Sequence, residues 1–126
     1  MKARNFVRNA AAATVTAGLL TAGTVVLASP ASAVGTSACT RFSVPDDVFG
    51  KRHSAAIGLV NVDGLNLRNG PGVNYYSKGH LYETKSTMRI VCTAKGDSWL
   101  YGRVDYGPNH GKWGWVSRRY ISLYPY

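Results

Sequence analysis

Acidic side chains are scarce in this chain. Of 126 residues only six are carboxylates, and Glu83 is the single glutamate. Asp46 and Asp47 are adjacent and would point different ways. Asp63 and Asp97 sit beside glycine in turn-like stretches, where an aspartate side chain works on its local backbone. Glycoside hydrolysis needs two carboxylates facing one bond across about 5–10 Å. No spacing here suggests such a pair, unless folding brings Glu83 near Asp105. Histidine is thin as well. His53, His80 and His110 are isolated, with no second histidine or cysteine two to four residues on, so no metal site or cofactor is expected. Asn69-Gly70-Pro71-Gly72 lacks the Gly-Lys-Ser/Thr ending and following helix of a phosphate loop.

Long apolar runs are confined to one place. Ala10 to Ala28 is apolar, small and uncharged, preceded by Lys2, Arg4 and Arg8 and followed by Ser29-Pro30-Ala31-Ser32-Ala33. A basic start, an apolar middle and a small-x-small end make a secretory signal peptide, cut after Ala33. Thr14, Thr16, Gly18 and Thr21 interrupt the run, whereas a stable span needs about 20 strongly apolar residues. Thr36-Ser37-Ala38 before Cys39 carries no leucine, which argues against lipid attachment. Residues 1–33 are therefore expected to be removed, leaving a secreted chain, extracellular or wall-associated, with no membrane attachment. What is left is one small domain, able to hide only about 60–70% of its unfolded surface.

Cysteine is limited to Cys39 and Cys92. Outside the cell this pair is expected as one disulfide. It would close a loop of about 50 residues, worth roughly 4 kcal/mol in unfolded-state entropy. That is large for a domain with a stability of about 5–10 kcal/mol. It also leaves no free thiol for nucleophilic chemistry. The chain is expected not to be an enzyme. The one enzymatic class kept open by size, disulfide and charge is a secreted ribonuclease using Glu83, His80 or His110.

What is present is basic charge, aromatic rings and period-2 patterning. The whole chain carries +9, which becomes +6 without Lys2, Arg4 and Arg8. Outside a cell that favours anionic partners. Residues 34–56 show no sustained period and read as an N-terminal arm tied at Cys39. From Gly58 onward the pattern alternates. "LVNV" and "LNLR" flank Asp63-Gly64, a two-residue hairpin signal. "GHLYE" is a short strand. "MRIVCTA" places Met88, Ile90 and Cys92 on one face. "SWLYGRVDY" places Trp99, Tyr101 and Arg103 opposite Leu100, Gly102 and Val104. "KWGWVSRRYI" is expected to close the domain, with "SLYPY" trailing out. No amphipathic helix of ten residues appears. The fold expected is a small, closed antiparallel β-barrel.

These segments resemble the bacterial SH3 domain family. The resemblance rests on Leu65-Asn66-Leu67-Arg68-Asn69-Gly70-Pro71, on Gly96 to Trp99, and on Gly111 to Ile121, in that order. It covers about Gly58 to Ile121. Lys85-Ser86-Thr87 stands where the family has Lys-Gly-Thr, and "WLYGRVDYGPNHGK" is longer than the usual connection. The resemblance implies an SH3-like antiparallel barrel, here with a disulfide-tethered arm over 34–56 and the barrel over 57–126. It also implies a non-catalytic binding module for peptidoglycan or peptide-like ligands, with Trp115 at least partly in the core.

Three tryptophans and eight tyrosines supply candidate contact surfaces. Tyr75 and Tyr76, after the Gly-Pro corner, are the first candidates. Trp99, Tyr101, Arg103, Trp113 and Arg118 complete the set. Arg68 reads as a brace for the corner. The first partner expected is cell-wall polymer or peptide, bound by a monomer. The alternative is an exported protein, for which this chain is an interaction factor or inhibitor. Single-stranded nucleic acid ranks third: "KWGWVSRRY" interleaves bases with aromatics, but export argues against it.

Overall fold

Alternating side chains become strands because one face of each can be buried. The computed structural model describes residues 34–126, so the expected signal peptide lies outside the described residues. The strands are β1 (Val44–Pro45), β2 (Arg52–His53), β3 (Ala56–Val60), β4 (Leu65–Arg68), β5 (Ser77–Leu81), β6 (Thr87–Ala94), β7 (Trp99–Tyr106), β8 (Trp113–Ser117) and β9 (Ile121–Pro125). Short 3-10 turns cover Thr36–Ala38 and Arg118–Tyr120. β1 pairs with β2, and the other seven form one antiparallel sheet in the order β5-β4-β8-β7-β6-β3-β9. The described chain is all-β, as the patterning predicts.

The inner face is apolar. Ala56 and Val60 of β3, Leu65 and Leu67 of β4, and Leu81 of β5 join Met88, Ile90, Leu100, Val104, Val116, Ile121 and Leu123 in one buried cluster. Residues from both ends of the strand order meet there, so the sheet curls around its own inner face. β5 and β9 are not hydrogen-bonded to each other, so the ladder stays open where a closed barrel was expected. Truncating a fully buried member such as Leu67 or Ile90 to Ala would cost about 2–5 kcal/mol. Gly102 is required for close strand approach: a Cβ there would lie 2.1 Å from the Arg89 carbonyl oxygen.

Three local expectations change. Asp63-Gly64 does turn the chain, but β3 and β4 do not pair; β3 lies between β6 and β9, and β4 between β5 and β8. The two-residue hairpin turn needs positive φ at both central residues. Only Gly64 has it, at +78°. Cys92 does not share a face with Met88 and Ile90. The register between β6 and β7 shifts between Ile90 and Cys92, so Ile90 opposes Gly102 while Cys92 opposes Tyr101. A bulge of this kind inserts one residue and reverses the faces beyond it. "SLYPY" does not trail out; Ile121–Pro125 is β9 and pairs along the whole of β3.

The arm packs onto the sheet. Cys39 and Cys92 are disulfide-bonded with Cα atoms 5.8 Å apart. Arg41 and Thr93 exchange backbone hydrogen bonds. Arg52 holds Asp97 through two nitrogens at 2.9 and 3.0 Å. Asp47 accepts from the Leu123 amide at 2.7 Å and pairs with Arg118. Buried Asp46 accepts from the amides of Val48, Phe49 and Gly50 and meets His53.

Candidate functional site: an aromatic face divided by the arm

Trp115 is on the outer face of the sheet. It opposes Tyr101 of β7 and Arg68 of β4, while its neighbour Val116 points into the main core. It is nevertheless 0% exposed. The cover is the arm: Ala38 and the Cys39–Cys92 disulfide pack with Trp115, Ala94, Trp99 and Tyr101 in a second apolar cluster. The Trp115 indole N–H donates to the Val34 carbonyl at 2.6 Å, and the Val34 amide donates to the Asn69 carbonyl at 2.7 Å. Trp115 is thus a structural, buried residue as expected, but the core it joins is the second cluster beneath the arm, because the strand register turns it away from the main one.

Tyr101 lies under the same cover. Its ring stacks on Trp113 at 5.5 Å and tilts against Trp115 at 5.1 Å. Burial raises the pKa of its hydroxyl. That hydroxyl approaches Gly35 closely: a Cβ there would be 3.0 Å from it. From Asn69, just beyond β4, to Cys92 on β6, residues 34–39 cross the row formed by Arg68, Trp115, Tyr101 and Cys92. Trp99 is left on one side of the arm, and Trp113 with Arg103 on the other.

The Trp99 side is a cleft of about 300 Å³ lined by Leu65, Asn66, Arg68, Val73, Trp99, Ser117, Arg119 and Tyr120. Asn66 and Arg68 are the outward residues of β4. Ser117 opposes Trp99 across β7 and β8 and accepts from the Arg119 amide at 3.4 Å, starting the 3-10 turn that presents Arg119 and Tyr120. The Arg119 guanidinium lies 6.0 Å from the Tyr120 ring centre, within cation–π range. No carboxylate lines the cleft. Five of the six acids are committed elsewhere: Asp46, Asp47, Asp97 and Asp105 each pair with a cation or histidine, and Asp63 accepts from the Glu83 amide. The cleft can therefore offer two aromatic faces and two guanidinium groups to a ligand with rings and negative charge.

The remaining candidates fall elsewhere. Tyr75 is half-buried, with its ring directly over Gly70, where a Cβ would come within 2.4 Å. Arg68 donates to the carbonyls of Tyr75 at 2.8 Å and Val73 at 3.3 Å, bracing the corner. Tyr76 is 60% exposed. Neither tyrosine lines the cleft. Arg118 donates to the Ile121 carbonyl at 2.7 Å and binds Asp47, so it ties the arm to β9. Arg103 is held by Asp105. Sequence reasoning did not place Asn66, Val73 and Ser117 at a site, and it met Arg119 and Tyr120 only within the basic, aromatic stretch "KWGWVSRRY". The available signal was Ser117 two residues before Arg119, a serine able to start a turn. Among the described residues no three His, Cys, Asp or Glu side chains are grouped to hold a metal. No described helix is long and apolar enough to cross a membrane.

No protein-family model, curated protein or solved structure matches this chain.

Proposed function

We propose that this chain is a secreted, non-catalytic SH3-like module that binds cell-wall polymer or its peptide-like parts. The observation that carries the reading is the cleft in which Trp99 and Tyr120 stand beside Arg68 and Arg119 with no carboxylate in its lining. Aromatic faces stack on sugar rings and peptide planes, and guanidinium groups attract acidic polymer. The curled antiparallel sheet, the Cys39–Cys92 bond and the order of motifs along β4, β7 and β8 support an exported SH3-like domain.

Titration of soluble wall fragments against isotope-labelled protein tests this reading. Amide shifts at Asn66, Trp99, Ser117, Arg119 and Tyr120 are expected. No saturable shift, or shifts only at Tyr76 and the far side of the arm, would remove the cleft from the account. Stoichiometric capture of one exported protein in the absence of wall would replace the ligand class.

A further inference from the structure

The outer sheet face beyond the arm carries a second cationic feature, separate from the cleft. Trp113, Arg103, Arg89, Ile57 and Tyr124 lie side by side in register on β8, β7, β6, β3 and β9. At about 4.8 Å between strands the row is about 19 Å long. It is open: Ile57, Trp113 and Tyr124 remain 36%, 40% and 40% exposed.

Two arginines are neighbours at its centre. Arg89 and Arg103 are direct cross-strand partners. Such partners have Cβ atoms about 4.5–5.5 Å apart, and like charges there destabilise the pair. Only Arg103 is compensated: its Nε donates to Asp105 at 3.0 Å. Arg89 has no carboxylate partner among the described residues. Its guanidinium lies 4.2 Å from the Tyr126 ring centre, and its buried Nε has no acceptor. Two cations share one carboxylate, and Arg89 is offset by an aromatic ring alone, which leaves one positive charge of the pair without an anion.

We propose that Arg89 and Arg103 form a phosphate site for a phosphodiester-linked polymer lying across the strands, between Trp113 and Tyr124. Phosphate suits the pair better than carboxylate. Its several oxygens can accept from both guanidinium groups at once, from Arg103 through the Nη1 that Asp105, held on Nε and Nη2, leaves unused, whereas one carboxylate is already accommodated there. A non-nucleic polymer suits the row better than single-stranded nucleic acid. Trp113 and Tyr124 are too far apart to stack successive bases.

The test is a titration of inorganic phosphate into oxidised protein beginning at Val34, at constant ionic strength, observing the arginine Nε–Hε signals. Arg89 and Arg103 should shift saturably with phosphate and more weakly with acetate. Arg89→Gln should weaken phosphate binding about tenfold or more. Arg89→Lys, which keeps charge without the fork, should weaken it less. Arg119→Gln should leave it unchanged, which separates this site from the cleft. Shifts spread equally over all arginines, an unchanged Arg89→Gln isotherm, or loss in Arg119→Gln would overturn the assignment. Tighter binding of a short oligonucleotide than of a poly(glycerol phosphate) of equal charge would overturn the choice of polymer.

Discussion

Trp115 donates its indole N–H to the carbonyl of Val34, 81 positions earlier in the chain. That bond fastens the start of the arm over the aromatic row and makes an outward-facing tryptophan a buried one. Trp115→Phe keeps a ring but removes the donor. It is expected to lower stability by about 1–3 kcal/mol in urea unfolding and to increase solvent quenching of the remaining aromatic fluorescence. An unchanged midpoint would mean that the arm contributes no stability through this contact.

The Cys39–Cys92 bond spans 53 positions and sits inside the same apolar cluster. Replacing both cysteines with serine should lose about 4 kcal/mol. The cysteines belong to the arm-to-sheet contact, so the loss should come with exposure of Tyr101 and Trp115. A denaturant midpoint equal to that of the oxidised protein would contradict this.

The paired tyrosines should separate in their effects. The Tyr75 ring rests on Gly70, so Tyr75→Ala should cost about 1–3 kcal/mol by uncovering the corner. Tyr76 is exposed, and Tyr76→Ala should change stability by no more than about 0.5 kcal/mol. Thermal unfolding of the two variants side by side checks both values. Equal effects would show that the ring over Gly70 is not a staple.

Acid should loosen the arm first. Amide hydrogen bonds, that from Phe49 foremost, hold the Asp46 carboxyl at a pKa of about 2 against 3.8 for an ordinary aspartate, aided by His53. The Arg52 guanidinium, with Thr93, holds Asp97 at about 2 in the same way. Both folded values lie below the unfolded value. Their stabilisation is therefore fully present above about pH 4 and is lost as pH falls toward 2. Urea midpoints at pH 5, 3 and 2 should fall in that order, and Asp97→Asn should flatten part of the slope. A flat profile would contradict the assignment.

Much of the sheet was legible because alternation is a local signal. Leu65 and Leu67, Met88 and Ile90, and Leu100 and Val104 all point where period 2 puts them. What escaped was non-local. Asp63-Gly64 marks a turn, but whether its flanking strands pair depends on partners elsewhere in the chain. The bulge that turns Cys92 outward leaves no mark in "MRIVCTA", since a single inserted residue preserves composition and reverses faces. Trp115 is expected to be buried and is, but only the fold shows that the arm supplies its cover. The cleft draws Asn66, Trp99 and Arg119 from three distant segments, so only the fold could assemble it.

The measurement that tests the central claim most directly is co-sedimentation of the oxidised protein from Val34 with purified bacterial cell walls. It should be run at low and high salt, before and after stripping anionic polymers, for the parent protein and for Trp99→Ala and Arg119→Ala. The account predicts binding that survives stripping and salt in part and falls about tenfold or more in both variants. Absence of binding, or binding indifferent to Trp99 and Arg119, would contradict it.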